Sequence, residues 1–341
     1  MLLLVAGCAT RPKTPATYTV FPLPPDEPRI QFLTSFGSET DLGGQDAFQD
    51  FIVGSEKYHR PIWKPYGIAA RPGRYFICDT QPGSLVTVDL KKRRLAYCRP
   101  EGQAAMKMPI NVAVDADGTR YVTDTGRGQV LLYSPENTLI AAIGKKDEIR
   151  PSGIALWQDR ILVTDLKNSC VRVYDKTSRE LKFTFPENGK EDTNRLFQPT
   201  NIAVDRAGRI FVSDSGGFNL KVYDSEGRLQ RVIGDQGLLA GYFALPKGIG
   251  VDHEGRIFVV DAATAVGQVF DHEGRLLMFF GEPKSSGPGA MYLPASLAID
   301  YDNVGLFSRF VMPGYKVDFL ILVTNQAGPQ KVNVYGFLRK T

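Results

Sequence analysis

The sequence has 341 residues, of which 43% are hydrophobic and 23% charged. That is the composition of a folded soluble chain. A formal net charge of +4 over this length is too small to argue for a nucleic-acid partner. Length alone would allow about two domains, but an internal repeat fills the chain and leaves room for one.

The chain begins Met1-Leu2-Leu3-Leu4-Val5-Ala6-Gly7-Cys8. Val5-Ala6-Gly7-Cys8 resembles the lipobox of bacterial lipoproteins, where small residues precede a cysteine that is lipidated and becomes the new N-terminus. A secretory signal needs a charged start and a longer apolar run. Both are missing, so segment 1–8 reads as the truncated end of such a signal, with the true start expected upstream. Residues 9–28 are rich in Pro and Thr, as a tether between an anchor and a domain would be. The resemblance implies lipid on Cys8 and a place on the periplasmic face of a bacterial membrane. The alternative is a cytoplasmic chain with a frayed N-terminus.

Arg29-Ile30-Gln31-Phe32-Leu33-Thr34-Ser35-Phe36-Gly37 is the first predicted strand, and its pattern returns at residues 228–234 and 275–281. Residues 41–63 carry no strand pattern. Phe48, Phe51 and Ile52 lie at helical spacing with Gly54 as a stop, which predicts one short helix across a face of the domain.

From there the chain repeats. The unit is clearest at 199–224: Pro-Thr-Asn-Ile-Ala-Val-Asp, then Ala-Gly-Arg-Ile-Phe-Val-Ser-Asp, then Leu-Lys-Val-Tyr-Asp. It reads as three short strands closed by aspartates, with turns in which Asp bonds its own backbone and Gly accepts positive φ. A fourth strand, residues 228–233, follows. The opening proline recurs at Pro65, Pro109, Pro151, Pro199, Pro246 and Pro294, at intervals of 44, 42, 48, 47 and 48 residues. The second strand ends on Asp79, Asp124, Asp165, Asp214 and Asp261, with Asn325 in the sixth copy.

Four strands at a period of forty-odd residues predict an all-β, six-bladed β-propeller of four-stranded antiparallel blades, a single domain over 29–341. The sixth copy runs out after its third strand near Leu338. The strand at 29–37 is therefore expected to complete that last blade and close the ring, removing the open edges of a linear array.

The Pro-x-Gly-Ile-Ala-Val-Asp, Gly-Arg-Ile-Phe-Val-Ser-Asp and Val-x-Val-Tyr-Asp phrases resemble NHL repeats. Over roughly residues 28–338 the chain is similar to the six-bladed NHL-repeat propellers of bacteria. The likeness implies the fold and says little of activity, since that family includes enzymes, protein binders and RNA binders.

In the sixth blade, residues 301–316 are an apolar insertion in place of a short turn, either a hairpin for a partner or lengthened strands packed on the body. Cys78 and Cys98 fall on the second and fourth strands of one blade, too far apart for a disulfide; with Cys170 they are expected as buried thiols.

Catalytic propellers place their chemistry in the loops entering the first strands, which here supply Lys64, Tyr66, Asn111, Arg150, Ser152, Asn201 and Lys247. None is a histidine. His253 and His272 lie in Asp-His-Glu-Gly turns, and His59 has no neighbouring ligand for zinc. Asn111 and Asn201 could give two of the six to eight oxygens calcium needs. No catalytic residue, metal or cofactor is expected. Lys64, Arg150 and Lys247, from blades one, three and five, should ring the axis with Asn111 and Asn201 between them. This pattern predicts a non-catalytic, envelope-anchored, monomeric propeller whose rim binds an unidentified protein or glycan. The alternative is a small-molecule hydrolase or lyase at the same mouth.

Overall fold

Strand after strand, the apolar alternation is realised as six antiparallel sheets arranged in a ring. A computed structural model of the chain describes residues 18–43, 60–186, 194–282 and 287–341. Blades one to five each hold four strands, in blade two Pro109–Val114, Arg120–Asp124, Gln129–Tyr133 and Leu139–Ile143. The inner strands carry small residues where the blades converge. The outermost strands alternate inward and outward, so that Leu139–Ile143 buries Ile143 and exposes Ile140.

The core lies between blades. Tyr75 and Ile77 of blade one pack with Leu320 and Leu322 of blade six in one cluster, and Phe211 and Leu220 of blade four pack with Ile257 and Val259 of blade five in another. Each such side chain stabilises the fold by about 1.5–3 kcal/mol on burial.

The ring closes as the sequence predicts. Ile30–Phe36 pairs with Val332–Lys340, Ile30 opposite Phe337 and Phe36 opposite Val332, and so supplies the fourth strand of blade six. Val20–Phe21 adds a fifth strand outside it, so the end of the segment read as tether lies in the sheet. The helix expected around Phe48, Phe51 and Ile52 lies outside the described residues, as do Cys8 and His59.

The apolar insertion folds onto the body. Val304–Phe310 is a 3-10 helix whose Phe307 stacks on Tyr75 of blade one at 6.5 Å. Gln31 of the closing strand donates to the Phe310 carbonyl at 2.7 Å and accepts from the Met312 N–H at 3.0 Å. Asn303 accepts from the Gly73 N–H at 2.6 Å and donates to the Arg71 carbonyl at 3.0 Å. Flanking strands Tyr315–Asn325 and Val332–Lys340 are longer than those of other blades. Of the two readings left open by the sequence, packing on the body is observed, and it clasps blades six and one.

Cys78 lies opposite Leu85, which in turn lies opposite Cys98, so a strand separates them. Both, with Cys170, are buried free thiols. None of the described helices is long and apolar enough to cross a membrane.

Candidate functional site at the upper mouth

Each blade's inner strand begins on one face of the ring, here called the upper face, and the second-strand aspartates hold that face in shape. Asp79 accepts the Trp63 and Lys64 N–H groups at 2.7 and 2.8 Å, and Asp124 those of Lys107 and Met108 at 2.6 and 3.0 Å. Asp214 and Asp261 repeat the arrangement, and Asn325 takes the Tyr292 N–H at 3.0 Å. A carboxylate with several donors serves as a fixed clamp for the loop that precedes each inner strand. The repetition of these aspartates is therefore architectural.

The hydroxyls one position earlier lock blade to blade. Thr123 Oγ1 accepts from the Asn111 N–H of its own blade at 2.9 Å and donates to the Ser152 carbonyl of the next at 2.6 Å. Ser213 likewise joins Asn201 at 3.2 Å to the Lys247 carbonyl at 2.6 Å, and Thr324 joins Ser296 to the Tyr66 carbonyl.

Two residues past each proline, glycine alternates with a polar residue around the ring: Gly67, Asn111, Gly153, Asn201, Gly248 and Ser296. A Cβ on Gly67 would lie 2.5 Å from Asn111 Cα, and one on Gly153 would lie 2.8 Å from Asn201 Cα. The glycines thus make room for the polar residues to meet at the axis. Asn111 Nδ2 donates to Asn201 Oδ1 at 2.8 Å, and Asn201 Nδ2 to the Ala295 carbonyl at 3.3 Å. Both amides are buried, as is Ser152, whose hydroxyl donates to the Thr200 carbonyl at 2.8 Å.

The remaining predicted residues are less buried than this pair. Tyr66 is half-buried and contacts Asn201; burial pushes its phenol up to about 12, against a smaller lowering by that hydrogen bond. Lys247 belongs to blade five but leans toward blade one, its Nζ 5.4 Å from the centre of the Tyr66 ring. Burial holds its amine below the ordinary lysine range, and the charge of Lys64 adds to the effect. Lys64 and Arg150 are exposed, their backbone N–H groups held by Asp79 and Asp165 at 2.8 and 2.9 Å. Structure therefore joins Tyr66, Asn111, Asn201 and Lys247 through direct contacts, with Lys64 near enough for its charge to act on Lys247, and Arg150 stands exposed at the start of blade three.

Sequence reasoning missed the apolar part of this face. The loops before the inner strands expose Trp63 at 49%, Met108 at 47%, Phe197 at 51% and Leu293 at 42%, from blades one, two, four and six. Blade five adds Leu238 at 81% and Leu239 at 72%. Arg195 lies over the Phe197 ring at 5.0 Å. Inspection of the one or two residues ahead of each proline would have found Trp63, Met108, Phe197 and Leu293.

The two described histidines are elsewhere. His253 stacks on Tyr301 at 3.6 Å in a turn on the lower face, with Arg206 at 2.9 Å from its Nε2, and His272 is exposed in another such turn. In blades four and five the lower-face turns are built on Asp-x-x-Gly-Arg: Asp205 takes the N–H and Nε–H of Arg209 at 2.8 and 2.6 Å, and Asp252 those of Arg256 at 2.9 and 2.6 Å. Among the described residues no group of three or more His, Cys, Asp or Glu is placed to hold a metal ion.

Comparison with known proteins agrees with this architecture. The family model for the NHL repeat matches residues 149–174. Protein brain tumor of Drosophila melanogaster is 37% identical over 87 residues, which is 25% of this chain and 8% of that protein, so the likeness spans a small part of its length. Among solved structures, a Bacteroides thetaiotaomicron protein of unknown function superimposes with a TM-score of 0.64 at 16% identity, covering 91% of this chain and 76% of that one. Virginiamycin B lyase from Staphylococcus aureus gives 0.53 at 11% identity, over 80% and 94% of the two chains. A nidogen/laminin complex gives 0.53 at 16% identity, over 65% and 81%. Identities this low carry the fold alone.

Proposed function

Taking the chain as an NHL-repeat six-bladed β-propeller, we propose that it is a binding protein whose upper face receives a protein partner with an acidic, partly apolar surface. The observation that carries this reading is the ring of exposed Trp63, Met108, Phe197, Leu238 and Leu293 around a mouth edged by Lys64, Arg150 and Lys247. Aromatic residues, Met and Arg are enriched at interface centres, and a ring of exposed apolar side chains on one face marks an interaction site. The Asp-clamped loops preorganise that face, which lowers the ordering cost of association.

A hydrolase or lyase at the same mouth is the competing reading. A histidine-to-alanine variant of the staphylococcal lyase is catalytically inactive, whereas the two histidines among the described residues of this chain, His253 and His272, lie on the opposite face. The reading extends to place: lipid on Cys8 would hold the propeller at the periplasmic face of a bacterial membrane, with the partner, a protein rather than a glycan, in the envelope.

The test is capture of envelope proteins on the immobilised propeller, comparing wild type with Trp63→Ala/Phe197→Ala and with the lower-face variant Arg206→Ala. Two interface aromatics are worth about 2 kcal/mol each, so the double variant should lose about a thousandfold in affinity. The lower-face variant should bind as wild type. Equal capture by both variants would refute the proposal.

A further inference from the structure

At the centre of the mouth, hydrogen-bond acceptors are consumed and cations are left over. Asn201 Oδ1 accepts from Asn111, and Asn111 Oδ1 accepts from the Val112 N–H at 3.0 Å. Asp79 is occupied by the Trp63 and Lys64 backbone, and Asp214 by the Phe197 and Gln198 backbone together with the buried Lys221 amine at 3.1 Å. Lys247 rests against the Tyr66 ring instead of a carboxylate, and among the described residues neither it nor Lys64 is in an ion pair. A half-buried amine without a counter-ion is costly, and a second like charge beside it raises the cost. Burial and the Lys64 charge hold the Lys247 amine below its ordinary range, as such a pairing requires.

We infer that Lys247, over the Tyr66 ring, and the neighbouring Lys64 form a receptor for a carboxylate, and that an acidic side chain of the protein docked on the apolar ring fills it. This rests on the binding reading above and adds the chemistry of the contact at its centre. An arriving carboxylate relieves both penalties at once: it supplies the missing acceptor and separates two like charges with an opposite one. The apolar ring around it excludes water, which strengthens the pairing.

The site is tested on lysine-labelled protein by following the Lys247 side-chain carbon resonance against pH, with and without N-acetyl-tetraglutamate as the probe, at low salt. On saturation with the peptide the Lys247 midpoint should rise by about one unit. Lys247→Gln and Lys64→Gln should each weaken peptide binding by about tenfold, the loss of a charge-assisted hydrogen bond, and Lys316→Gln, on the blade-six hairpin, should not. An unmoved Lys247 midpoint, or equal weakening by Lys316→Gln, would overturn the receptor. Glutarate binding as tightly as the peptide would overturn assignment to a protein's acidic side chain in favour of a small carboxylate. The two proposals separate cleanly. Undiminished protein capture by Lys64→Gln/Lys247→Gln sinks the receptor alone, whereas undiminished capture by Trp63→Ala/Phe197→Ala sinks the binding face, whatever the peptide does.

Discussion

Phe36→Ala measures how firmly the N-terminal strand closes the ring. Phe36 is 3% exposed, and its ring stacks on Tyr75 of blade one at 6.5 Å and 9°. Around it lie Ile62 and Ile68 from the start of blade one and Leu320, Leu322 and Val332 from blade six. The ring therefore fills a seam between two sheets whose ladders cannot collapse onto an empty space. Truncating a buried Phe to Ala costs about 3–5 kcal/mol, a large share of the ~5–15 kcal/mol that keeps a domain folded. Leu277→Ala is the matched control. Leu277 is also on a fourth strand, in blade five, but it is 54% exposed, so its loss should cost less than about 0.5 kcal/mol. Urea unfolding followed by fluorescence of the two tryptophans, Trp63 and Trp157, gives both midpoints. A midpoint shift for Phe36→Ala no larger than that for Leu277→Ala would show that the closing strand is a loose appendage and refute the clasp.

Lys221→Ala leaves the fully buried Asp214 without its cation at 3.1 Å, and should cost about 3–5 kcal/mol in urea; an unchanged midpoint would contradict a buried pair. In Asp165, burial pushes the carboxyl up, but hydrogen bonds from the Arg150 N–H, Asn168 and Arg172 outweigh it and hold the group below its usual 3.8. A depressed carboxylate stabilises the fold above its unfolded value and loses that contribution as pH falls through the folded one. Arg172→Met should therefore move the acid-induced loss of stability to higher pH; superimposable acid transitions would count against this. Ala265 sits at φ 57 where blades one and two have Gly83 and Gly128 at 61 and 64, so Ala265→Gly should stabilise by about 0.5–1 kcal/mol net, and a lower melting temperature would contradict it.

The fold was legible because six copies of one local pattern agree. Proline, apolar alternation, Asp-x-x-Gly turn and closing aspartate each have a local physical cause, and the leftover strand at 29–37 could pair only with the blade that lacked one. The site was legible only in part. The loops that carry it were found from the prolines, but where side chains converge depends on rotamers that no spacing encodes. Lys64, Arg150 and Lys247 were expected evenly around the axis, yet the Lys247 side chain leans across to Tyr66 of blade one. Asn111 and Asn201, expected on the rim, reach each other across the axis because the facing glycines leave room. The insertion at 301–316 was ambiguous for a related reason: its apolar residues suit a partner or a neighbour equally, and only the Phe307–Tyr75 stack and the Gln31 bonds decide which.

Site-specific photocrosslinking in the native host tests the central claim most directly. A photoreactive phenylalanine analogue placed at Met108 samples the upper face, and one at Leu277 samples the outer side of blade five, at exposures of 47% and 54%. Binding at the upper face predicts a discrete adduct from position 108 that disappears with Trp63→Ala/Phe197→Ala, and none from position 277. An adduct from position 277 with none from 108 would place the partner on the side of the ring and contradict the account.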